Sequence, residues 1–216
     1  MSNARIEDLG DLFISLSGII GSGKTTLATA LAKVIRVPVY HESAQDSSLL
    51  AKFYEDMPGY AFLLQLDLLQ HRVKQQQSIA WADSGCVQDR TIYEDAVFVH
   101  MLHKQGLLSN DQVKVYHDLF RAFSKSMVRP SVIIHLDVSP EEALRRVRER
   151  NRPIESSLTL EYLSKLSAAY EEFLQRNRYG VHTLRIKWES YESVELVARR
   201  IAQALEEQNF VTVVEL

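Results

Sequence analysis

The sequence predicts a three-layer α/β/α fold around a five-stranded parallel sheet, and three observations predict it. Five short apolar runs alternate with stretches of helical periodicity, the pattern of parallel strands joined by crossover helices. The first run leads straight into a glycine-rich loop and a helical stripe, a strand–loop–helix unit. At 216 residues the chain is long enough to bury one full core, and no repeat or Pro/Gly/Ser-rich linker divides it.

The elements follow in order. Leu12 to Ser17 is an apolar strand ending at glycine, and Lys24 to Val34 places Leu27, Leu31 and Val34 on one helical face. Val37 to Tyr40 is the second strand. Phe53 to Ala80 reads as helix broken near Pro58-Gly59, with Phe62, Leu66, Leu69 and Val73 on one stripe. Gly85 to Gln88 is the third strand, followed by helical patterns over Tyr93–His103 and Asp111–Met127. Val132 to Leu136 is the fourth strand, and Ser139-Pro140-Glu141-Glu142 after it is a helix start. Leu158 to Gln175 forms a further helix, Val181 to Ile186 a fifth strand, and Val194 to Leu205 the last helix. Residues 1–10 and 210–216 read as tails on a domain of residues 11–209; Phe210 to Val214 alternates weakly, as an edge strand or subunit contact would.

Composition narrows the function classes. A formal charge of −3 argues against a nucleic-acid groove. No apolar run approaches the roughly 20 residues of a membrane span, and Met1–Gly10 lacks the apolar stretch of a signal peptide. With one cysteine, Cys86, the chain has no internal disulfide and no cysteine metal cluster, which predicts a reducing, cytoplasmic setting. Cys86, Trp81 and Trp188 read as packing or interface residues. His41 and His71 read as bystanders beside candidate site residues, and His100, His103, His117 and His135 show no zinc-ligand spacing with a carboxylate.

Gly18-Ile19-Ile20-Gly21-Ser22-Gly23-Lys24-Thr25 matches the phosphate-loop pattern at every fixed position, with the required strand before and helix after. Glycines let successive N–H groups curl around phosphate oxygens, and the helix start adds its positive dipole end. Lys24 serves the β- and γ-phosphates, Thr25 is placed to ligate magnesium, and Thr26 completes the ATP-binding set. No Asn-Lys-x-Asp guanine reader follows a strand.

Asp137 ends the fourth strand and has the position of a Walker B carboxylate, but Asp89-Arg90 at the end of the third strand is the more suggestive pair. A carboxylate there accepts a hydroxyl proton while the arginine steadies phosphoryl oxygens; a salt bridge or helix cap is the alternative reading. Five arginines crowd Arg145 to Arg152. Arg146 and Arg150 share a helical face and Arg152 follows at the turn, as an arginine lid over a transferring phosphate requires; Arg145 and Arg148 read as a solvated face.

This set of motifs resembles the deoxyribonucleoside kinase family, above all its bacterial deoxyadenosine and deoxyguanosine kinases and their deoxycytidine kinase relatives. The resemblance runs from the phosphate loop to about Tyr170. It rests on Phe53-Tyr54-Glu55-Asp56 with Phe62–Arg72, on Gln88-Asp89-Arg90-Thr91-Ile92-Tyr93-Glu94-Asp95, on Arg146-x-x-x-Arg150-Asn151-Arg152-x-x-Glu155, and on Leu160-Glu161-Tyr162-Leu163. It implies a phosphate-loop kinase that passes phosphate from Mg-ATP to a deoxynucleoside 5′-hydroxyl, purine preferred and deoxyadenosine first, with deoxyguanosine or deoxycytidine as alternatives. Asp89 would be the general base and Arg90 its neighbour, with Glu42 a further carboxylate near the hydroxyl and metal. Tyr54 and Glu155 would bind the sugar 3′-hydroxyl, and Gln65, Arg72 and Asp95 the base. Arg146, Arg150 and Arg152, in a lid of about residues 146–157, would contact ATP and the moving phosphoryl group. Magnesium would rest on Thr25, phosphates and water, with Glu42 or Asp89 reaching it through water.

Departures from the family pattern fall at Glu42-Ser43-Ala44, where members have Glu-Pro or Glu-Glu-Val, and at the lid, whose usual Arg-Gly-Arg is Arg150-Asn151-Arg152. Asn tolerates left-handed backbone best after Gly, so the turn survives. Family habit implies a homodimer through helices Pro58–Ala80 and Tyr93–His103. Competing readings are a nucleoside monophosphate kinase such as thymidylate kinase, and a regulatory ATP-binding subunit of a heterodimer.

Overall fold

β1 (Phe13–Ser17) is buried along its whole length and runs at the centre of the sheet. A central parallel strand is covered on both faces, which is why all five of its residues are buried, Ser15 and Ser17 included. The computed structural model describes residues 6–42, 48–176, 180–190, 193–206 and 211–214. β2 (Val39–Tyr40) and β3 (Cys86–Asp89) lie on one side of β1, β4 (Val132–Asp137) and β5 (Thr183–Lys187) on the other. Every pairing is parallel, with Leu16 opposite Asp89 and Ser17 opposite His135.

The five expected strands are joined by a sixth, β6 (Val211–Val214), parallel to β5 with Thr183 opposite Val211. The sheet order is therefore β2-β3-β1-β4-β5-β6. Val211 to Val214, expected in a C-terminal tail, thus belong to the sheet, as their β-branched composition favours. The Ser43-Ala44 departure lies outside the described residues.

Helices α1 (Lys24–Ile35), α2 (Ser48–Glu55), α3 (Met57–Ala80), α4 (Ile92–Lys104), α5 (Asn110–Ser124), α6 (Pro140–Arg150), α7 (Leu160–Arg176) and α8 (Val194–Glu206) cover both faces. The expected break near Pro58 falls two residues earlier. Asp56 caps α3 by accepting the Gly59 N–H at 3.1 Å, and Pro58 sits in the first turn, where its missing N–H costs nothing. α4 lies among α3, α5 and α7, with Val97, Val99, Met101 and Leu102 buried inside its own chain. Exposed apolar side chains sit instead on α3 at Leu63 and on α5 at Val115, Leu119 and Phe123. Trp188 is core, whereas Trp81 is 88% exposed.

Candidate active site

The carboxyl ends of β1, β2 and β3 bring the site together, as the register dictates. Leu16 and Asp89 are paired, Tyr40 and Gln88 are paired, and Glu42 follows two residues after Tyr40. Gly21 (φ 86°) and Gly23 (φ 91°) occupy the left-handed region that favours glycine, shaping the loop after β1. A side chain at Gly21 would also run into the carbonyl oxygen of Ala143, so only glycine lets α6 pack this close.

Lys24 is buried, and its ammonium donates to the carbonyls of Gly18 (2.9 Å) and Ile19 (2.7 Å) and to Ser22 Oγ (3.2 Å). Burial, then repulsion from Arg90, lowers its pKa to about 8. Arriving phosphates must draw Lys24 from these partners with a stronger, charged acceptor.

Beside the loop opens a cavity of about 330 Å³. It is lined by the loop residues Ile20, Gly21, Gly23, Lys24, Thr25 and Thr26, and by Glu42, Gln65, Arg72 and Arg90. Tyr54, Arg150, Arg152 and Glu155 complete the lining, where α2 packs against the turn Pro153–Glu155. A phosphate loop and a pocket of polar readers thus share one space, which a reaction joining two ligands needs.

The two candidate carboxylates part company here. Glu42 lines the cavity, bridged to Arg72 Nη2 and Arg90 Nε at 3.0 Å each. Burial opposes its charge, but Arg90 and Arg72 outweigh burial and hold its pKa down at about 2. Asp89 has no exposed surface, does not line the cavity, and accepts the Thr25 hydroxyl at 2.5 Å. The structure places Asp89, expected as the general base, beside Thr25 and outside the cavity lining, whereas Glu42, just after β2, is part of that lining. Asp137 is tied to Arg185 at 2.9 Å.

Gln65 and Arg72 project from α3 as the resemblance implies, and both are buried. Arg72 Nε donates to Asp95 at 2.5 Å, and burial opposes the arginine's charge less than Asp95 and Glu42 support it. Asp95 itself does not line the cavity and reaches it through Arg72. Burial pushes the Tyr54 phenol well above its ordinary range, so it remains a neutral donor.

In the lid, Asn151 takes the left-handed conformation (φ 48°), as its substitution for glycine requires. The turn aims Arg150 and Arg152 at the cavity, and Arg150 grips Glu155 in a bidentate pair at 2.8 and 2.6 Å. Arg146 is placed differently from Arg150. It lies buried outside the cavity lining, donating to the carbonyls of Ser22 (3.2 Å), Trp188 (2.8 Å) and Glu189 (3.0 Å). One helical turn separates it from Arg150, enough to carry it behind the phosphate loop.

Several cavity residues carried no sequence signal of their own. Leu50, Phe53, Leu64 and Leu68 are apolar positions of amphipathic helices, and periodicity cannot tell a cavity wall from core. Phe98 lies under the Arg90 guanidinium, 5.1 Å from its ring centre. Tyr162 and Glu94 stand within the quoted motif blocks without a role of their own, and the pairing of Glu94 with Tyr170 emerges only from the fold.

A profile of the family described as deoxynucleoside kinase matches residues 14–212. A deoxyadenosine kinase of Dictyostelium discoideum is 46% identical over 208 residues, 96% of this chain and 85% of that protein. A deoxyadenosine/deoxycytidine kinase of Bacillus subtilis is 33% identical, covering 89% of this chain and 92% of its own. The solved structure of M. mycoides deoxyadenosine kinase with bound dATP superposes with a TM-score of 0.80 at 23% identity, over 88% of this chain and 98% of that one. The chain belongs to the deoxynucleoside kinase family.

Proposed function

We propose that this kinase phosphorylates the 5′-hydroxyl of deoxyadenosine with Mg-ATP, and that Glu42 takes the hydroxyl proton. The carrying observation is that Glu42 stands in the cavity between Arg72 and Arg90, opposite the phosphate loop. Ionised at working pH, it can receive a proton as the hydroxyl oxygen bonds to phosphorus and acidifies. Arg90 holds the same hydroxyl and the arriving phosphoryl oxygens, Lys24 draws the β- and γ-phosphates, and Arg150 and Arg152 cover the transferring group. Tyr54 and Glu155 receive the sugar 3′-hydroxyl.

Thr25 would hold magnesium directly and Asp89 through water. Asp89 Oδ1, buried without a hydrogen-bond partner among the described residues, fits that role. Magnesium supplies charge neutralisation and orientation of the phosphates. The base lies against Gln65 and Arg72. Gln65 Oε1, buried and without a hydrogen-bond partner among the described residues, is the acceptor that an adenine amino group seeks, and Leu64, Leu68 and Phe98 supply apolar walls. The 46% identity to a deoxyadenosine kinase supports the same base. Cytoplasmic residence and a homodimer through the exposed apolar stripe of α5 complete the reading.

The test is ADP release with Mg-ATP against four deoxynucleosides, four ribonucleosides and thymidine monophosphate. Deoxyadenosine is expected to give the highest kcat/KM. Preference for deoxyguanosine or deoxycytidine would overturn the base, and stimulation by the monophosphate alone would overturn the acceptor.

Lys24 gives a pH signature. Below about pH 8 it is charged and meets phosphate directly; above that pH the empty site has lost the proton and ATP must bind with proton uptake. ATP affinity is therefore expected to fall as pH rises past 8, approaching tenfold per unit. Isothermal titration from pH 7 to 9.5 in buffers of different ionisation enthalpy checks it. An affinity flat across that range would sink the assignment.

A further inference from the structure

Arg90 stands at the middle of the proposed chemistry, yet its conformation is unfavourable: it is a non-glycine residue with φ 67°. Such backbone persists where its surroundings over-determine it. Those surroundings are Glu94 and Tyr170, neither of which lines the cavity. Glu94 Oε1 accepts from Arg90 Nη1, from the Tyr170 hydroxyl, and from the Gly18 N–H at 3.4 Å. Tyr170 in turn accepts from Arg90 Nη1 at 2.7 Å. With Nε on Glu42 at 3.0 Å and Phe98 beneath the plane, the guanidinium is held from three directions. Nη2 alone among its nitrogens has no hydrogen-bond partner among the described residues, and Arg90 lines the cavity.

A buried carboxylate is a costly means of joining two helices when apolar packing would serve. Glu94 is 3% exposed, and its second oxygen has no partner among the described residues. Its first oxygen touches the beginning of the phosphate loop and the end of the arginine that faces the acceptor. Burial raises its pKa while Arg90 and Lys24 oppose the shift, so its charge depends on the arginine it holds.

We propose that Glu94 and Tyr170 are a positioning pair: they fix Nη1 of Arg90 while Glu42 holds Nε, so that Nη2 points at the reacting oxygens, and Glu94 registers Arg90 against the phosphate loop through Gly18. The inference deepens the proposed function and rests on its reading of Arg90. A purely structural staple between α4 and α7 would alter stability and leave the rate of transfer intact. A positioning pair acts on kcat, because small misplacements of a catalytic group are costly while ground-state binding is little changed.

The experiment measures kcat, both KM values and Tm for full-length Tyr170→Phe, Glu94→Gln, Arg90→Lys and the Glu94→Gln/Arg90→Lys double variant. Mg-ATP and the deoxynucleoside turned over fastest by the wild type are the substrates. Tyr170→Phe and Glu94→Gln are expected to lower kcat roughly 10- to 100-fold, with each KM within about threefold of wild type. The double variant should lose no more than Arg90→Lys alone, because the partners act through one group. Retention of kcat within about twofold in both single variants, or losses that multiply in the double variant, would overturn the pair. Wild-type kcat in Arg90→Lys would overturn the reading of Arg90, and the inference with it. If Glu94→Gln does not fold, Tyr170→Phe decides alone, since it removes a single oxygen.

Discussion

Glu42→Gln is expected to lower kcat by roughly a hundred- to ten-thousand-fold, with little change in the KM for ATP. The amide keeps the shape and can still accept from Arg72 or Arg90, but it has no charge with which to take a proton. Asp89→Asn has a different expected signature. Its partner is Thr25, so the loss should appear as a higher magnesium concentration for half-maximal rate, with partial recovery at excess metal. Magnesium titrations of both variants separate the two roles. A normal magnesium requirement in Asp89→Asn, together with near-wild-type kcat in Glu42→Gln, would return the proton to Asp89.

Arg150→Met should lower kcat by about a thousandfold, the scale of an arginine that meets the charge of a moving phosphoryl group. Arg150 reaches the cavity from a helix end and is held there by Glu155, whose carboxylate uses both oxygens on it. Under the proposed function the sugar competes for the same carboxylate, so acceptor binding loosens Arg150 as its target arrives. The methionine preserves the aliphatic stem and removes only the charged fork. Single-turnover rates with ATP and deoxynucleoside both saturating report the step directly. If only the KM for ATP rises and the single-turnover rate is kept, Arg150 binds nucleotide without serving transfer.

Much of the fold was legible because local chemistry and global arrangement agree. The phosphate loop works through consecutive backbone amides, so its spacing alone locates it. Asn151 shows the same legibility at a single residue, since a left-handed turn admits few side chains. Legibility ended where function depends on the meeting of distant segments. Glu42 and Asp89 both end strands, and only the order and register of β2, β3 and β1 decide which one faces the cavity. Arg146 and Arg150 share a helical face, but periodicity gives direction around an axis and not depth along it, so one donates to backbone carbonyls outside the cavity lining and the other lines the cavity. Glu94 and Tyr170 stand 76 residues apart, beyond any local pattern.

The parallel sheet also has a consequence for how the chain is made. β1 needs β4 beside it, and the Ser17–His135 hydrogen bond joins residues 118 apart. At synthesis rates of 5–20 residues per second, roughly 6 to 24 seconds separate their emergence. Throughout that delay β1 has an open edge, a template for intermolecular pairing. Expression yield is then set by protection of the nascent N-terminal third as much as by stability of the finished enzyme, which makes chaperone supply and translation speed the controls to adjust.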